Sequence, residues 1–191
     1  NILEYVYILF LILIFGFIMS NKTFTLLSKK INKDKIIDIL GSVYEHSSWV
    51  PERLISFDIK IIKNSDELFI KMKSIVECAS DKEKLKLLCA HPELGNKLQK
   101  LNNLTDFSKL EQKSAGLDQC SDEEFQTLTR LNKEYRVKFN FPFIIAVKGL
   151  TKANIIDEMK KRVKNSYNQE FNTALKEVHK IAKIRLDDIK F

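Results

Sequence analysis

Apolar residues recur every three or four positions along most of the chain, a spacing that predicts successive helices. The clearest helix follows Ser121, where one face carries Phe125, Leu128, Asn132, Tyr135 and Phe139. Capping residues and a first-turn proline predict further helix starts at Asn32, Pro51, Asn64, Ser80 and Thr151. A last helix carries Phe171, Leu175, Val178 and Ala182. Since glycine (5) and proline (3) are scarce, we predict an all-α, single-domain helical bundle.

After Pro142 the helical pattern gives way to five consecutive apolar residues, Phe143, Ile144, Ile145, Ala146 and Val147. A run of this length is compatible with a short buried strand. No partner strand is evident in the sequence, so we interpret the run as an extended buried segment. Its backbone N–H and C=O groups then need other partners, and a polar ligand is one candidate.

The first residues form an apolar extension that differs from the rest of the chain. Residues 2–18 (ILEYVYILFLILIFGFI) contain a single charge, Glu4, and their length is at the lower end of the roughly 17–25 residues that span a bilayer. Three interpretations are open: upstream sequence read in frame before Met19, a membrane anchor, or a signal peptide that lacks the usual flanking features. We therefore divide the chain into an extension, 1–18, and a helical domain, 19–191.

The charge and cysteine content narrow the class of protein. The chain has 32 Lys and Arg against 25 Asp and Glu, a net charge of +7, but its lysines are interspersed with acidic residues. This distribution favours a solvated surface over a nucleic-acid interface. The three cysteines form no CxxC pair, so we expect neither a disulfide framework nor a metal site, and a reducing compartment fits best.

Two short stretches contain residues suited to chemistry on a small polar molecule. His91 lies at a predicted helix end, before Pro92, and histidine is the side chain best matched to proton transfer near neutral pH. The alternative is a structural histidine that contacts the last helix carbonyls. Ser108, Glu111 and Gln112 share one face of a predicted helix. They are either substrate-binding groups or ordinary surface residues.

A charged residue continues the apolar face of the last helix. Arg185 follows Ala182 at helical spacing, and a buried guanidinium needs a partner. The partner is either a carboxylate of the protein or the carboxylate of a ligand. His46 and Trp49 form a further candidate cluster in a loop, whereas we expect His179, among charged neighbours, to be solvated.

Six short motifs, in order along the chain, resemble those of the OHCU decarboxylases, which act on 2-oxo-4-hydroxy-4-carboxy-5-ureidoimidazoline (OHCU) in urate breakdown. The motifs are residues 45–50, 91–95, 108–112 with 116–117, 131–139, 141–145 and 184–186, and the resemblance extends from Thr23 to Ile189. The sequence departs from the family pattern at residues 93–96, where Asp-Leu-Ala-Gly is usual, and at Ser48, where proline is frequent. Both departures affect the local shape of loops more than the chemistry.

The resemblance implies an all-helical, cofactor-free carboxy-lyase that forms (S)-allantoin. It makes His91 the catalytic histidine, Glu111 the carboxylate that works with it, and Arg185 the cationic residue of the site. It also implies substrate contacts from Pro92, Ser108, Gln112, Phe143, Ile144, Ile145, Ala146 and Val147.

The competing hypothesis is a non-enzymatic helical binding module that engages acidic partners through its lysines. We expect a small-molecule substrate and no nucleic acid, with membrane contact only if residues 2–18 are a real anchor; a homodimer is left open. The ending Ile189-Lys190-Phe191 is not the peroxisomal Ser-Lys-Leu signal, so we expect a cytoplasmic protein.

Overall fold

The computed structural model describes residues 33–56, 62, 64–95 and 104–189. Within these ranges the chain forms eight α-helices and a 3-10 helix at Leu117–Gln119, and no strand. The α-helices are α1 (Lys33–Leu40), α2 (Trp49–Ile55), α3 (Ser65–Glu77), α4 (Asp81–Ala90), α5 (Asp106–Ser114), α6 (Asp122–Phe139), α7 (Lys152–Arg162) and α8 (Tyr167–Asp188). The all-α prediction is confirmed.

The apolar extension, 1–18, and the predicted helix start at Asn32 lie outside the described residues. None of the helices that the structure describes is long and apolar enough to cross a membrane. Residues 143–147 adopt neither helix nor strand, in agreement with their interpretation as an extended segment without a partner strand, although Ile145 and Ala146 are only partly buried. We call this stretch the irregular segment.

Most predicted helix starts are made by the side chains expected to make them. Ser80 and Ser121 form capping boxes with Glu83 and Glu124, and the Asn64 side chain accepts a hydrogen bond from the Glu67 backbone N–H. Each cap satisfies donors that the first helical turn leaves without intrahelical partners. Local sequence therefore determines where these helices begin.

The core forms around α8, the longest helix, which packs against α3, α4 and α6. Its small buried residues Ala174 and Ala182 allow close approach of neighbouring helices. At one end of α8, six aromatic rings pack edge to face or stacked: Tyr135, Phe139, Phe141, Phe143, Tyr167 and Phe171. This cluster fixes the start of the irregular segment at Phe143.

A glycine is required in the turn that follows α4. Gly95 has a φ of +72°, and an added Cβ would lie 2.6 Å from Cδ1 of Leu128. Its backbone N–H donates to Oε1 of Gln112, 3.1 Å away. The turn therefore places α4 and α5 in a fixed relation to each other.

We predict that Gly95→Ala lowers the free energy of unfolding by about 2–5 kcal/mol, since a left-handed backbone costs about 1–2 kcal/mol and overpacking about 1–3 kcal/mol. Gly149→Ala is the matched control, because Gly149 has a φ of +82° but no atom within 4 Å of the added Cβ. The control should lose only the backbone part, about 1–2 kcal/mol. Urea unfolding of both variants measures the difference, and equal losses would contradict the steric contribution.

Candidate active site

His91 is the C-cap of α4, and its two ring nitrogens have different environments. Nδ1 lies 3.0 Å from the carbonyl oxygen of Leu87, so Nδ1 carries the proton and donates it to that carbonyl. Nε2 is then unprotonated, and this buried atom has no hydrogen-bond partner among the described residues. The hydrogen bond to Leu87 therefore fixes the imidazole ring, and Nε2 is available as a proton acceptor.

Burial lowers the pKa of His91 to about 4, although the nearby Glu45 carboxylate acts in the opposite direction. The ring is consequently neutral near pH 7. The expected contact with a helix carbonyl is present, and it sets the tautomer that leaves Nε2 open.

Arg185, on α8, is 1% exposed and uses all five of its N–H donors within the protein. Nε and Nη2 donate to the two oxygens of Glu111, each at 2.7 Å. Nη1 donates to Glu45 Oε2 at 2.8 Å and to the Ser42 carbonyl at 3.0 Å, and Nη2 also donates to Ser108 Oγ at 3.1 Å. Burial disfavours the charged form, but Glu111 and Glu45 outweigh it and raise the pKa of Arg185.

Glu45 is the site residue that sequence reasoning missed. It is fully buried in the turn before α2, with a φ of 50° that few residues other than glycine adopt. Its carboxylate accepts hydrogen bonds from Thr105 and Ser108 in addition to Arg185. Burial favours its neutral form, but Arg185 and His91 lower the pKa of Glu45 below its ordinary value.

The sequence feature that could have indicated Glu45 is the predicted burial of Arg185. A guanidinium on an apolar helix face requires a buried carboxylate elsewhere in the chain. Of the candidates, only Glu111 was assigned. The structure supplies both carboxylates, one from each side of the guanidinium.

The face of α5 predicted from the sequence exists as a unit. Thr105 is the N-cap of α5, and its hydroxyl oxygen accepts a hydrogen bond from the Ser108 N–H. Ser108, Glu111 and Gln112 line a small cavity of about 30 Å³ together with His91. Gln112 also accepts from Gly95, so it supports the turn behind His91.

Ten of the eleven predicted site residues line this cavity, and Leu94 and Ile181 complete its described wall. The exception is Ala146. Its backbone N–H points to the opposite side of the segment, where it donates to Oε2 of Glu177, 3.0 Å away.

The loop cluster and His179 differ from expectation. His46 is exposed, Trp49 begins α2 and stacks under Arg53, and neither lines the cavity. The prediction of a solvated His179 is wrong: its side chain is 8% exposed, with Nδ1 3.0 Å from the Tyr44 hydroxyl and Nε2 3.4 Å from Glu77. The charged residues next to His179 in the sequence suggested a surface position, but the face of α8 that carries His179 packs against α3 and the turn before α2.

A neutral imidazole nitrogen that lines a small pocket, beside a paired arginine, is typical of an enzyme that moves protons on a small polar molecule. The structure shows no cluster of three metal-ligating side chains among the residues it describes. The profile of the OHCU decarboxylase family matches residues 29–187, and this chain belongs to that family.

Relatives agree with this assignment. The chain is 44% identical over 157 residues to the 2-oxo-4-hydroxy-4-carboxy-5-ureidoimidazoline decarboxylase of Haloferax volcanii. The matched region covers 82% of this chain and 90% of the relative. It is 42% identical over 160 residues to the uric acid degradation bifunctional protein of Bacillus sp. (strain TB-90), or 84% of this chain and 31% of the relative.

A solved structure shares the fold. The crystal structure of (S)-allantoin synthase superposes with a TM-score of 0.68 at 36% identity, covering 85% of this chain. This chain spans about half, 51%, of the synthase chain. The binding-module alternative is not favoured, because the chain belongs to the OHCU decarboxylase family and its similar relatives are decarboxylases.

We predict that the two buried histidines make the protein less stable in mild acid. Burial lowers the pKa of His179 to about 4, as for His91, so between their ordinary value of 6.5 and pH 4 the unfolded chain binds more protons. The free energy of unfolding should therefore fall as the pH drops through this window. Urea unfolding between pH 7 and pH 4.5 measures the slope, and His179→Gln should reduce it. An unchanged slope in that variant would contradict the prediction.

Proposed function

We propose that this chain decarboxylates OHCU to (S)-allantoin in the pocket formed by His91, Glu111 and Arg185. As a member of the OHCU decarboxylase family, the chain is a carboxy-lyase of urate breakdown. The proposal assigns the reaction to particular groups. It is carried by one observation: the unprotonated Nε2 of His91, unpartnered among the described residues, lies on the wall of a pocket that also contains the arginine–carboxylate cluster.

The substrate's structure defines which protons must move. A carboxyl and a hydroxyl group share ring carbon 4, and carbon 5 carries the ureido group. When the bond to the carboxylate breaks, carbon dioxide leaves and the electron pair passes into the conjugated ring. The hydroxyl then loses its proton to become a carbonyl, carbon 5 gains a proton, and the ring nitrogen that received the electron pair takes a further proton from solvent. Because the ring accepts the electrons, the reaction requires no cofactor.

His91 is suited to this proton transfer. Neutral at physiological pH, its Nε2 accepts the hydroxyl proton and delivers a proton to carbon 5 from one face of the ring. The hydrogen bond from Nδ1 to Leu87 keeps the ring in place and stabilises the transient imidazolium. A fixed donor on one face explains a single enantiomer of the product.

The charge balance of the cluster implies an exchange of partners when the substrate binds. Arg185 is opposed by two carboxylates, and none of its donors is free for the substrate's carboxylate. Glu111 is 25% exposed, and among the described residues its side chain forms hydrogen bonds only with Arg185, whereas Glu45 is buried with three partners. We therefore propose that the substrate displaces Glu111 from Arg185, and that Glu45 stays as a positioning residue.

The size of the cavity supports the same exchange. A cavity of about 30 Å³ holds only a few water molecules, so the substrate needs additional space. Displacement of Glu111, which lines the cavity, supplies such space. The displaced carboxylate remains close enough to orient the imidazolium or the substrate. Pro92, Ser108, Gln112 and the cavity-lining residues of the segment 143–147 contact the ring and the ureido group.

Location and assembly remain proposals. A cytoplasmic location is supported by the three unpaired thiols, two of them exposed, which are stable in a reducing compartment. The possible homodimer stays a prediction that sedimentation of the purified protein would test.

We predict that His91→Asn lowers kcat by about 10²–10⁴-fold, the usual contribution of general acid–base catalysis, with an unchanged urea midpoint near pH 7. The assay supplies fresh OHCU and follows the circular dichroism of (S)-allantoin. The exposed His46→Asn is the control and should stay within about twofold of wild type. Near-normal formation of a single enantiomer by His91→Asn would remove His91 from this role, and a wild-type protein without activity would refute the proposed function itself.

We predict opposite behaviour for the two carboxylates. Glu45→Gln should cost about 3–5 kcal/mol of unfolding free energy, because it breaks a fully buried ion pair. Glu111→Gln should cost less, about 1–3 kcal/mol, because Glu111 is partly exposed but its loss leaves part of the buried Arg185 without an acceptor. It should also lower both KM and kcat, since the substrate displaces a neutral amide more easily. Steady-state kinetics and urea unfolding measure both effects. A raised KM in Glu111→Gln would contradict the exchange.

A further inference from the structure

The irregular segment 143–147 separates two concave surfaces. On one side lies the small catalytic cavity, and on the other an open groove of about 1350 Å³ between α3, α7 and α8. Ile145 borders both. Groups in the groove can therefore act on the site through this segment.

Two charged side chains hold the segment from the groove side. Arg162, on α7, donates from Nη1 to the carbonyl of Ile144 at 2.9 Å. Glu177, on α8, accepts the backbone N–H of Ala146 at 3.0 Å. The two contacts are made to the peptide groups before and after Ile145.

The geometry of the peptide bond determines where the N–H and C=O of Ile145 point. In a trans peptide the C=O and N–H point in opposite directions, and the described chain has no cis peptide bond. Since the Ile144 carbonyl points to Arg162, the Ile145 N–H points away from the groove. Since the Ala146 N–H points to Glu177, the Ile145 carbonyl also points away from it.

The Ile145 backbone therefore presents one donor and one acceptor on the side of the cavity. Neither group forms a hydrogen bond with another residue in the part of the chain that the structure describes. Amide and ureido groups carry an N–H beside a C=O, so they can make both bonds at once, as paired strands do. The backbone of Ile145, although its side chain is apolar, is thus suited to bind an amide or ureido group.

We propose that Arg162 and Glu177 are positioning residues that orient the Ile145 N–H and C=O to bind an amide or ureido group of the substrate. This proposal rests on the proposed function. Arg162 is itself fixed by ion pairing to Glu170, and its guanidinium lies 4.5 Å from the centroid of the Phe143 ring. Glu177 is the more accessible of the two, since its side chain is 12% exposed.

Glu177 also pairs with the exposed Lys180, at 2.6 Å, which provides a matched control. Glu177→Ala removes the acceptor for Ala146, Glu177→Gln keeps an acceptor oxygen without the charge, and Lys180→Ala removes only the ion pair. We expect Glu177→Ala to raise KM about three- to tenfold, the effect of one lost hydrogen bond, and to lower the enantiomeric excess of the allantoin. Glu177→Gln should recover most of both losses, and Lys180→Ala should match wild type.

Amide exchange of Ala146, followed by NMR, reports on the anchor independently of activity, and it should accelerate in Glu177→Ala alone of these variants. If Glu177→Ala does not fold, Arg162→Lys, which loses the second arm of the guanidinium, should show the same rise in KM and loss of enantiomeric excess. An active wild type with unchanged KM and enantiomeric excess in Glu177→Ala would overturn the proposal. Equal effects of Glu177→Gln and Glu177→Ala would also overturn it.

Discussion

The burial of one guanidinium organises the catalytic side of this molecule. Arg185 is almost completely removed from water, and a buried charge is tolerated only where every donor has a partner. Its partners come from the turn before α2 and from α5, segments far apart in the sequence. These segments must therefore converge on α8 for the domain to fold, and their convergence creates the pocket beside His91.

This arrangement leaves the site with more carboxylates than cations. Glu45 adopts a positive φ to reach Arg185, so the fold accepts a strained backbone to keep the second carboxylate in place. In the proposed mechanism, binding of an anion is coupled to the release of Glu111, the more exposed partner. A single saturated arginine would thus link the stability of the domain to the recognition of the substrate.

Local signals in the sequence predicted the helices and much of the pocket. Caps such as Ser80 and Ser121 act within one helical turn, and the α5 face follows from helical spacing alone. Glu45 and Glu177 were missed because their partners, Arg185 and the Ala146 backbone, are distant in sequence. Ala146 was assigned to the cavity with its neighbours, but alternate peptide groups of one segment face opposite sides.

The two buried histidines show why burial alone does not define a catalytic residue. Burial lowers the pKa of both His91 and His179 to about 4, so both rings are neutral at physiological pH. In His179 both nitrogens face protein groups, the Tyr44 hydroxyl and the Glu77 carboxylate. In His91 one nitrogen is tied to a helix carbonyl, and the other opens on the cavity without a partner among the described residues. We therefore assign the reactive role to the ring whose hydrogen bonding is left incomplete, as proposed above, because only an unsatisfied acceptor can take a proton from a substrate.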